Sequence, residues 1–422
     1  MHVHLLTLGS RGDVQPYLAL GVALKARGHD VTVTTGLGFD RMIEAQGLHS
    51  APINFDVRAM LEEPDIQEAL RTFRGKLAAW RNRKGEFIGQ MRETATRVRE
   101  TRADAIVYHP KMAGAPYLGA ALGVPALCSY LIPGFTPTEE YPFPLLPIPN
   151  LGRFANRLSH KAIYGLTDRM LGPLLKAWWR EDGGDPSVGP FSSYEGFDPA
   201  GRPPLRLHAY SAHLMPRPED WPERDRITGF WWLPGEPDWQ PPAALEAFLD
   251  AGPPPVYAGF GSMPTEDAAA TTRVVIEALE RSGNRGVLAT AWGGLAATDL
   301  PDTVFMLDMA PHGWLFPRCS AVVHHGGAGT THKGLRAGRP SVICPVSVDQ
   351  PFWGRRVHAL GAGPKPIPQK ALSAERLAAA LAETRDPAMR TRAEVLGGQI
   401  CTEGGADEAA RLIEDWVGAG QG

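Results

Sequence analysis

The stretch Val323-His324-His325-Gly326-Gly327-Ala328-Gly329-Thr330-Thr331 decides the fold. The apolar run Ala321-Val322-Val323-His324 reads as a buried strand, the glycines remove side chains, and the spacing predicts a helix from about Gly329. A strand entering a glycine-rich turn and then a helix is the unit from which parallel sheets are built. The start of such a helix presents unpaired backbone N–H groups and a positive dipole end, a ready anion site. Thr330 adds a hydroxyl donor and His325 an imidazole N–H. On spacing alone the alternative reading of the glycines is a tight strand-to-helix turn. A metal at His324-His325 is not expected, because adjacent strand residues point to opposite faces and no third ligand is near.

The same alternation extends in both directions. Downstream of Gly229-Phe230-Trp231-Trp232 and a Pro/Asp/Trp-rich run, strands are predicted at Val256–Phe260, Gly286–Ala291, Val304–Leu307 and Ser341–Pro345, with helices at Glu266–Ser282 and Ala406–Val417. Upstream, Val3–Leu8 ends in Gly9-Ser10-Arg11-Gly12-Asp13. Val14, Tyr17, Leu18, Gly21 and Leu24 then recur at helical spacing, and Val31–Thr35 alternates as a strand. Ala105–Tyr108 and Pro125–Cys128 are further strands. With 422 residues the chain exceeds one ordinary core. The expected architecture is α/β: two Rossmann-like domains, 1–232 and 256–402, facing each other across a cleft. A linker at 233–255 joins them, and a helix at 403–422 packs back on the first.

Composition removes several classes. A net charge of −3 argues against a nucleic-acid binder, which needs excess cations. Cys128, Cys319, Cys344 and Cys401 stand far apart, so neither a zinc knuckle nor a disulfide framework is expected, and a reducing cytoplasm fits. The N-terminal residues show no basic leader or apolar run. The apolar window Met112–Phe135 contains Pro116, Pro125 and Pro133, which suits alternating strand and loop rather than a membrane span. The first glycine loop lacks G-x-G-x-x-G, and Thr34-Thr35 ends the next strand without an acid, so a nicotinamide or flavin enzyme is disfavoured.

Two acidic positions stand at strand ends. Asp13 is placed either to take a proton from a hydroxyl or to cap its helix. Asp349-Gln350 has the groups for paired hydrogen bonds to sugar hydroxyls, with capping by Asp349 as the other reading. The basic stretch Arg71–Arg102 is a solvated helix face or a contact for an anionic membrane surface. Between 131 and 200, proline-rich loops surround a predicted helix at Phe154–Trp179. The aromatics there, Phe135, Tyr141, Phe143, Trp178 and Trp179, suit an apolar acceptor pocket or a core.

Taken together, the motifs resemble glycosyltransferase family 1 of the GT-B fold. Pro311-His312-Gly313-Trp314-Leu315-Phe316-Pro317, then HHGGAGTT, then Asp349-Gln350-Pro351-Phe352-Trp353 is similar to that family's carboxyl-half signature. GSRGDVQP (9–16), GFWWL (229–233) and VYAGFGSMP (256–264) resemble the branch of sterol glucosyltransferases and bacterial natural-product glycosyltransferases. The resemblance implies that Asp13 is the base and that His325, Gly327, Ala328, Gly329 and Thr330 hold the donor phosphates, with Ser262 facing them. It implies that Asp349 and Gln350 hold the sugar and that the backbone at Ala310, in Met309-Ala310-Pro311-His312, reads the base. Met309 stands where plant relatives stack a tryptophan, leaving Trp292 as the substitute. Lys333 stands where many relatives have a ribose-binding glutamate, which leaves UDP and dTDP both open. Ser10, Arg11, His109, Phe135, Phe143 and Trp178 are the acceptor candidates.

The implied function is inverting, metal-independent transfer of a hexose, glucose from UDP-glucose first, to a hydroxyl of a hydrophobic acceptor of sterol, triterpenoid, polyketide or flavonoid type. The sugar nucleotide is a co-substrate and no cofactor is expected. The alternatives are a dTDP-deoxysugar-dependent transferase, a sugar-nucleotide 2-epimerase of the same fold, and a non-catalytic sugar-nucleotide binder. The GSRGDVQP loop and the sterol-like stretches argue against the epimerase, and the retained Asp13, His325 and Asp349-Gln350 against the binder.

Overall fold

The computed structural model describes all residues except 147, 190, 234, 236–238, 262–266, 291–294, 296–299 and 421–422. The chain divides into two compact units, Met1–Leu233 with Gly404–Gly422, and Pro234–Glu403.

The first unit is built on seven strands: β1 (His2–Leu6), β2 (Asp30–Thr34), β3 (His49–Ser50), β4 (Ala105–Tyr108), β5 (Ala126–Tyr130), β6 (Arg206–His208) and β7 (Asp225–Ile227). Their order is β3-β2-β1-β4-β5-β6-β7, with every pairing parallel. The central strands are apolar on both faces because helices cover both. On one face Leu5, Leu18 and Trp231 pack with Ala409 and Ile413 of the C-terminal helix Gly405–Gly418. On the other, Leu6 and Tyr108 pack with Met91, Trp178 and Trp179. In the C-terminal helix Ala406, Ala409, Ala410, Ile413 and Val417 recur at helical spacing and form its buried stripe. Glu414 on its outer side pairs with Arg27 and with His29.

The second unit carries β8 (Val256–Gly259), β9 (Gly286–Ala289), β10 (Val304–Leu307), β11 (Ala321–His324) and β12 (Ser341–Ile343), all parallel in the order β10-β9-β8-β11-β12. The stretch 233–255, read above as a linker, contains a helix, Ala243–Asp250. Leu245 of that helix is buried and Phe248 lies against Phe305, so it is part of this unit. The helix expected from Gly329 begins one residue earlier, at Ala328, with Gly327 as its cap residue.

In each sheet the strand order reverses once, between β1 and β4 in the first unit and between β8 and β11 in the second. Ligands of open parallel sheets bind beyond the strand carboxyl ends at such reversals. The loops that leave those strands are Thr7–Ser10, leading into a helix that opens at Arg11, and His109–Lys111 in one unit, and Gly261 and His325–Gly327 in the other. Among the described residues no helix is long and apolar enough to cross a membrane.

Candidate active site

Asp13 occupies the third position of the helix Arg11–Ala26, where it caps the helix and also stands at the mouth of the sheet. Its Oδ2 accepts from the Ser10 N–H at 2.8 Å and the Ser10 hydroxyl at 3.3 Å, a capping box. Its Oδ1 accepts from Lys111 Nζ at 2.7 Å, across the β1–β4 reversal. Gly9 is required beside it: its φ is +144°, and a Cβ there would lie 2.0 Å from Asp13 Oδ2. Burial alone would push the Asp13 carboxyl up. The Lys111 ammonium, through its charge and its hydrogen bond, with smaller help from the Ser10 N–H, outweighs it and holds the carboxyl below its ordinary range. His109 follows β4 and accepts the Lys111 N–H on Nδ1 at 3.1 Å, which puts its own proton on Nε2. Burial first, then Lys111, pushes His109 down to about 3, so the imidazole is neutral. Arg11 stands at the first position of the helix, one residue from Ser10. Sequence reasoning missed Lys111; its only signal is its position just past the end of β4.

In the second unit, β11 delivers His325 and the glycines to the start of the helix Ala328–Arg336. Gly327 caps it without a side-chain bond, so the first N–H groups of Ala328, Gly329 and Thr330 face outward from the turn. Gly326 has φ +93°, and a Cβ there would lie 2.5 Å from Ile343. The His325 ring fills the space beside Gly261 and Gly327, and burial pushes it down to about 4. Its Nδ1 is buried with no hydrogen-bond partner among the described residues. A neutral, unpartnered imidazole beside an open helix terminus is a donor set for an anion. His324, by contrast, is buried and accepts the Gly326 N–H on Nδ1, which fixes the turn. Among the described residues no group of three or more His, Cys, Asp or Glu is arranged to hold a metal.

The loop after β12 departs from its capping reading. Asp349 precedes the helix Gln350–Ala359 but makes no side-chain cap; its Oδ2 accepts from Trp353 Nε1 at 2.9 Å. Gln350 is buried, and its Oε1 accepts from the N–H groups of Val346 at 2.8 Å and Ser347 at 3.3 Å. The amide carbonyl therefore holds the loop, and the NH2 is the end left for a ligand. Val348, just before them, has φ +58° and is 62% exposed, a strained position for a β-branched residue. Ala310 is buried beside the exposed Met309, while His312 stacks on Phe316 at 4.3 Å and meets the Tyr257 hydroxyl at 3.3 Å. Ser262 and Trp292 lie outside the described residues.

The acceptor candidates separate. Phe135, partly buried, stacks between Tyr130 and Tyr194, and Phe143 is buried edge-on to Phe135 and His160, so both pack against the aromatic core of this unit. Trp178 is fully buried, yet its ring walls a small pocket with Leu8, Phe87, Met91, Lys111 and Leu118. That pocket and Asp13 share Lys111.

Comparison with known proteins bears on this arrangement. Residues 3–128 match the glycosyltransferase family 28 N-terminal domain, and residues 287–415 match the erythromycin biosynthesis protein CIII-like C-terminal domain. The chain is 32% identical to the O-mycaminosyltylonolide 6-deoxyallosyltransferase of Streptomyces fradiae, over 99% of this chain and 98% of that one. The chain belongs to the GT-B glycosyltransferases, in the sterol and natural-product branch. This glycosyltransferase is also 34% identical to a sterol 3-beta-glucosyltransferase of Arabidopsis thaliana over 98% of its length, while spanning 65% of the plant protein. The calicheamicin glycosyltransferase CalG4 shares its fold, with a TM-score of 0.74, 20% identity and coverage of 99% and 98% of the two chains.

Proposed function

We propose that the protein transfers a sugar from a nucleoside diphosphate sugar to a hydroxyl of a hydrophobic polycyclic acceptor, with inversion and without a metal. The observation that carries this reading is the chemistry at the two strand-order reversals. One offers an ionised carboxylate beside an apolar pocket, and the other an open helix terminus beside a neutral histidine. Relatives named for sterol and O-mycaminosyltylonolide acceptors support a large apolar alcohol.

The acceptor hydroxyl takes the place of the Lys111 ammonium at Asp13 Oδ1 and gives up its proton as its oxygen attacks the anomeric carbon. The C–O bond to the departing diphosphate breaks as the new one forms. The N–H groups at Ala328–Thr330 and the His325 N–H receive the developing charge. Each fixed donor of this kind typically contributes about 3–4 kcal/mol, and a positioned base about 10²–10⁴-fold in rate. Asp349 and the Gln350 NH2 orient the sugar, and the backbone at Ala310 reads the base. UDP-glucose is the first donor to test, and dTDP-sugars are the second because Met309 and Lys333 leave the nucleoside contact unlike that of plant relatives. A two-way screen of UDP- and dTDP-sugars against sterols and polyketide alcohols, read by mass spectrometry, tests the reading. A glycosylated acceptor with released nucleotide supports it, and no product across the panel from folded protein overturns it.

A further inference from the structure

The long helix Arg153–Glu181 has two faces of different character. Inward, Asn156, His160, Leu175, Trp178 and Trp179 are buried in the first unit. Outward, Phe154 is 82% exposed, Leu158 52%, Leu166 54% and Met170 37%. These four fall at i, i+4, i+12 and i+16, with the exposed Ala162 between them, and so form a ridge that winds about 160° around the outer side of the helix, with Leu158 and Leu166 in its middle. Leu151 and Ile148, just before the helix, are exposed too. Single exposed apolar residues are ordinary, but a contiguous row of large ones marks a contact surface.

The charges beside the row indicate what covers it. The helix carries six cations and two acids, in a chain whose net charge is −3. Both acids are engaged, Asp168 with Ser192 and Glu181 with Arg92. Arg153 and Arg157 share Glu139, while Lys161, Arg169, Lys176 and Arg180 have no ion pair among the described residues. A second copy seated symmetrically on this face would bring the same unpaired cations against each other. An anionic lipid surface instead accepts the apolar row into its headgroup boundary and the cations at its phosphates. The basic stretch Arg71–Arg102 is less suited: Arg83, Arg92, Arg97 and Arg99 are each held in an ion pair.

We propose that the outer face of the helix Arg153–Glu181 docks the protein on an anionic bilayer, with Leu158 and Leu166 inserted, Phe154 and Met170 at the two edges of the contact, and Lys161, Arg169 and Lys176 at the headgroups. The surface lies on the unit that holds Asp13 and the Trp178 pocket, where an acceptor dissolved in lipid would be met.

Co-sedimentation of the full chain with vesicles of phosphatidylcholine alone, and of equal parts phosphatidylcholine and phosphatidylglycerol, tests it without requiring turnover, so its outcome is separate from that of the transfer reading. Each cation near an anionic surface contributes about fivefold in partitioning. The Lys161→Glu, Arg169→Glu double variant is therefore expected to bind the anionic vesicles more than about twentyfold more weakly. The Phe154→Ser, Leu158→Ser double variant should lose at least about tenfold, while keeping its circular dichroism and melting temperature, since these side chains are in solvent. The proposal is overturned if the wild type ignores anionic vesicles or binds neutral ones equally. It is also overturned if folded variants bind as the wild type does, or if the face proves to join two copies that the Phe154→Ser, Leu158→Ser change separates.

Discussion

Replacing Asp13 by asparagine separates the two roles argued for this residue. The oxygen of the new amide can still accept from the Ser10 N–H, which lies 2.8 Å from the carboxylate it replaces, so the capping box survives in large part. What is lost structurally is the ion pair to Lys111, whose side chain is 49% exposed; screened pairs of this kind contribute about 1 kcal/mol or less. A neutral amide is also less penalised by burial than the carboxylate, which offsets part of that loss. The chemical loss is much larger, because removing a positioned base lowers the rate about 10²–10⁴-fold, or about 3–5 kcal/mol of transition-state stabilisation. The variant should therefore melt within a few degrees of the wild type, bind donor nucleotide unchanged in calorimetry, and show a turnover at least a hundredfold lower. Near-wild-type turnover would refute the assignment of the base, and a failure to fold would refute the claim that the capping box is kept.

Lys111→Met removes the charge that outweighs burial at Asp13. The Asp13 carboxyl should rise, and the acid limb of kcat/KM, along which activity falls as the base is protonated, should move to higher pH. His109 should rise as well, because Lys111 is the second cause holding it down, but burial, the larger cause, stays and keeps the imidazole below its ordinary value. An unmoved limb in a folded variant would mean that Lys111 does not tune the base. Val348→Gly releases the left-handed backbone before Asp349. A left-handed residue with a β-branched side chain costs about 1–2 kcal/mol, and the added chain entropy of glycine returns roughly half of that. The melting temperature should rise slightly while the donor KM increases as the sugar-holding loop loosens. A drop in melting temperature would show that the turn is not strained.

The βα unit at His325 was legible because glycine spacing and an apolar run are local signals, and the helix begins within one residue of its expected start. Asp13 was legible only as a pair of alternatives, and a capping position and a sheet reversal coincide there, so the cap does not exclude the base. Lys111 was not legible: its contact with Asp13 spans 98 positions and depends on β1 lying beside β4. Asp349 and Gln350 were legible as polar residues beyond a strand end, but their bonding was not. The Trp353 indole competes for the carboxylate, and the Val346 and Ser347 N–H groups take the amide oxygen. For Phe135 and Phe143 the sequence left core and pocket open, because aromatic content marks both alike, and the structure adds the neighbouring rings they pack against. The three-residue strands β6 and β7 carry too few residues for a period to appear. They are held by a buried network instead, in which Asp225 accepts from Arg206 at 2.8 Å and from Thr136 at 2.6 Å.

The central claim is that a nucleoside diphosphate sits where β11 gives way to the helix Ala328–Arg336. Calorimetric titration of UDP and dTDP into the wild type and into His325→Ala tests it most directly. The wild type should bind at least one of the two, and His325→Ala should bind it at least about tenfold more weakly, as expected for losing one hydrogen bond to a charged group worth about 1.5–3 kcal/mol. Equal affinity in the two folded proteins would contradict the claim.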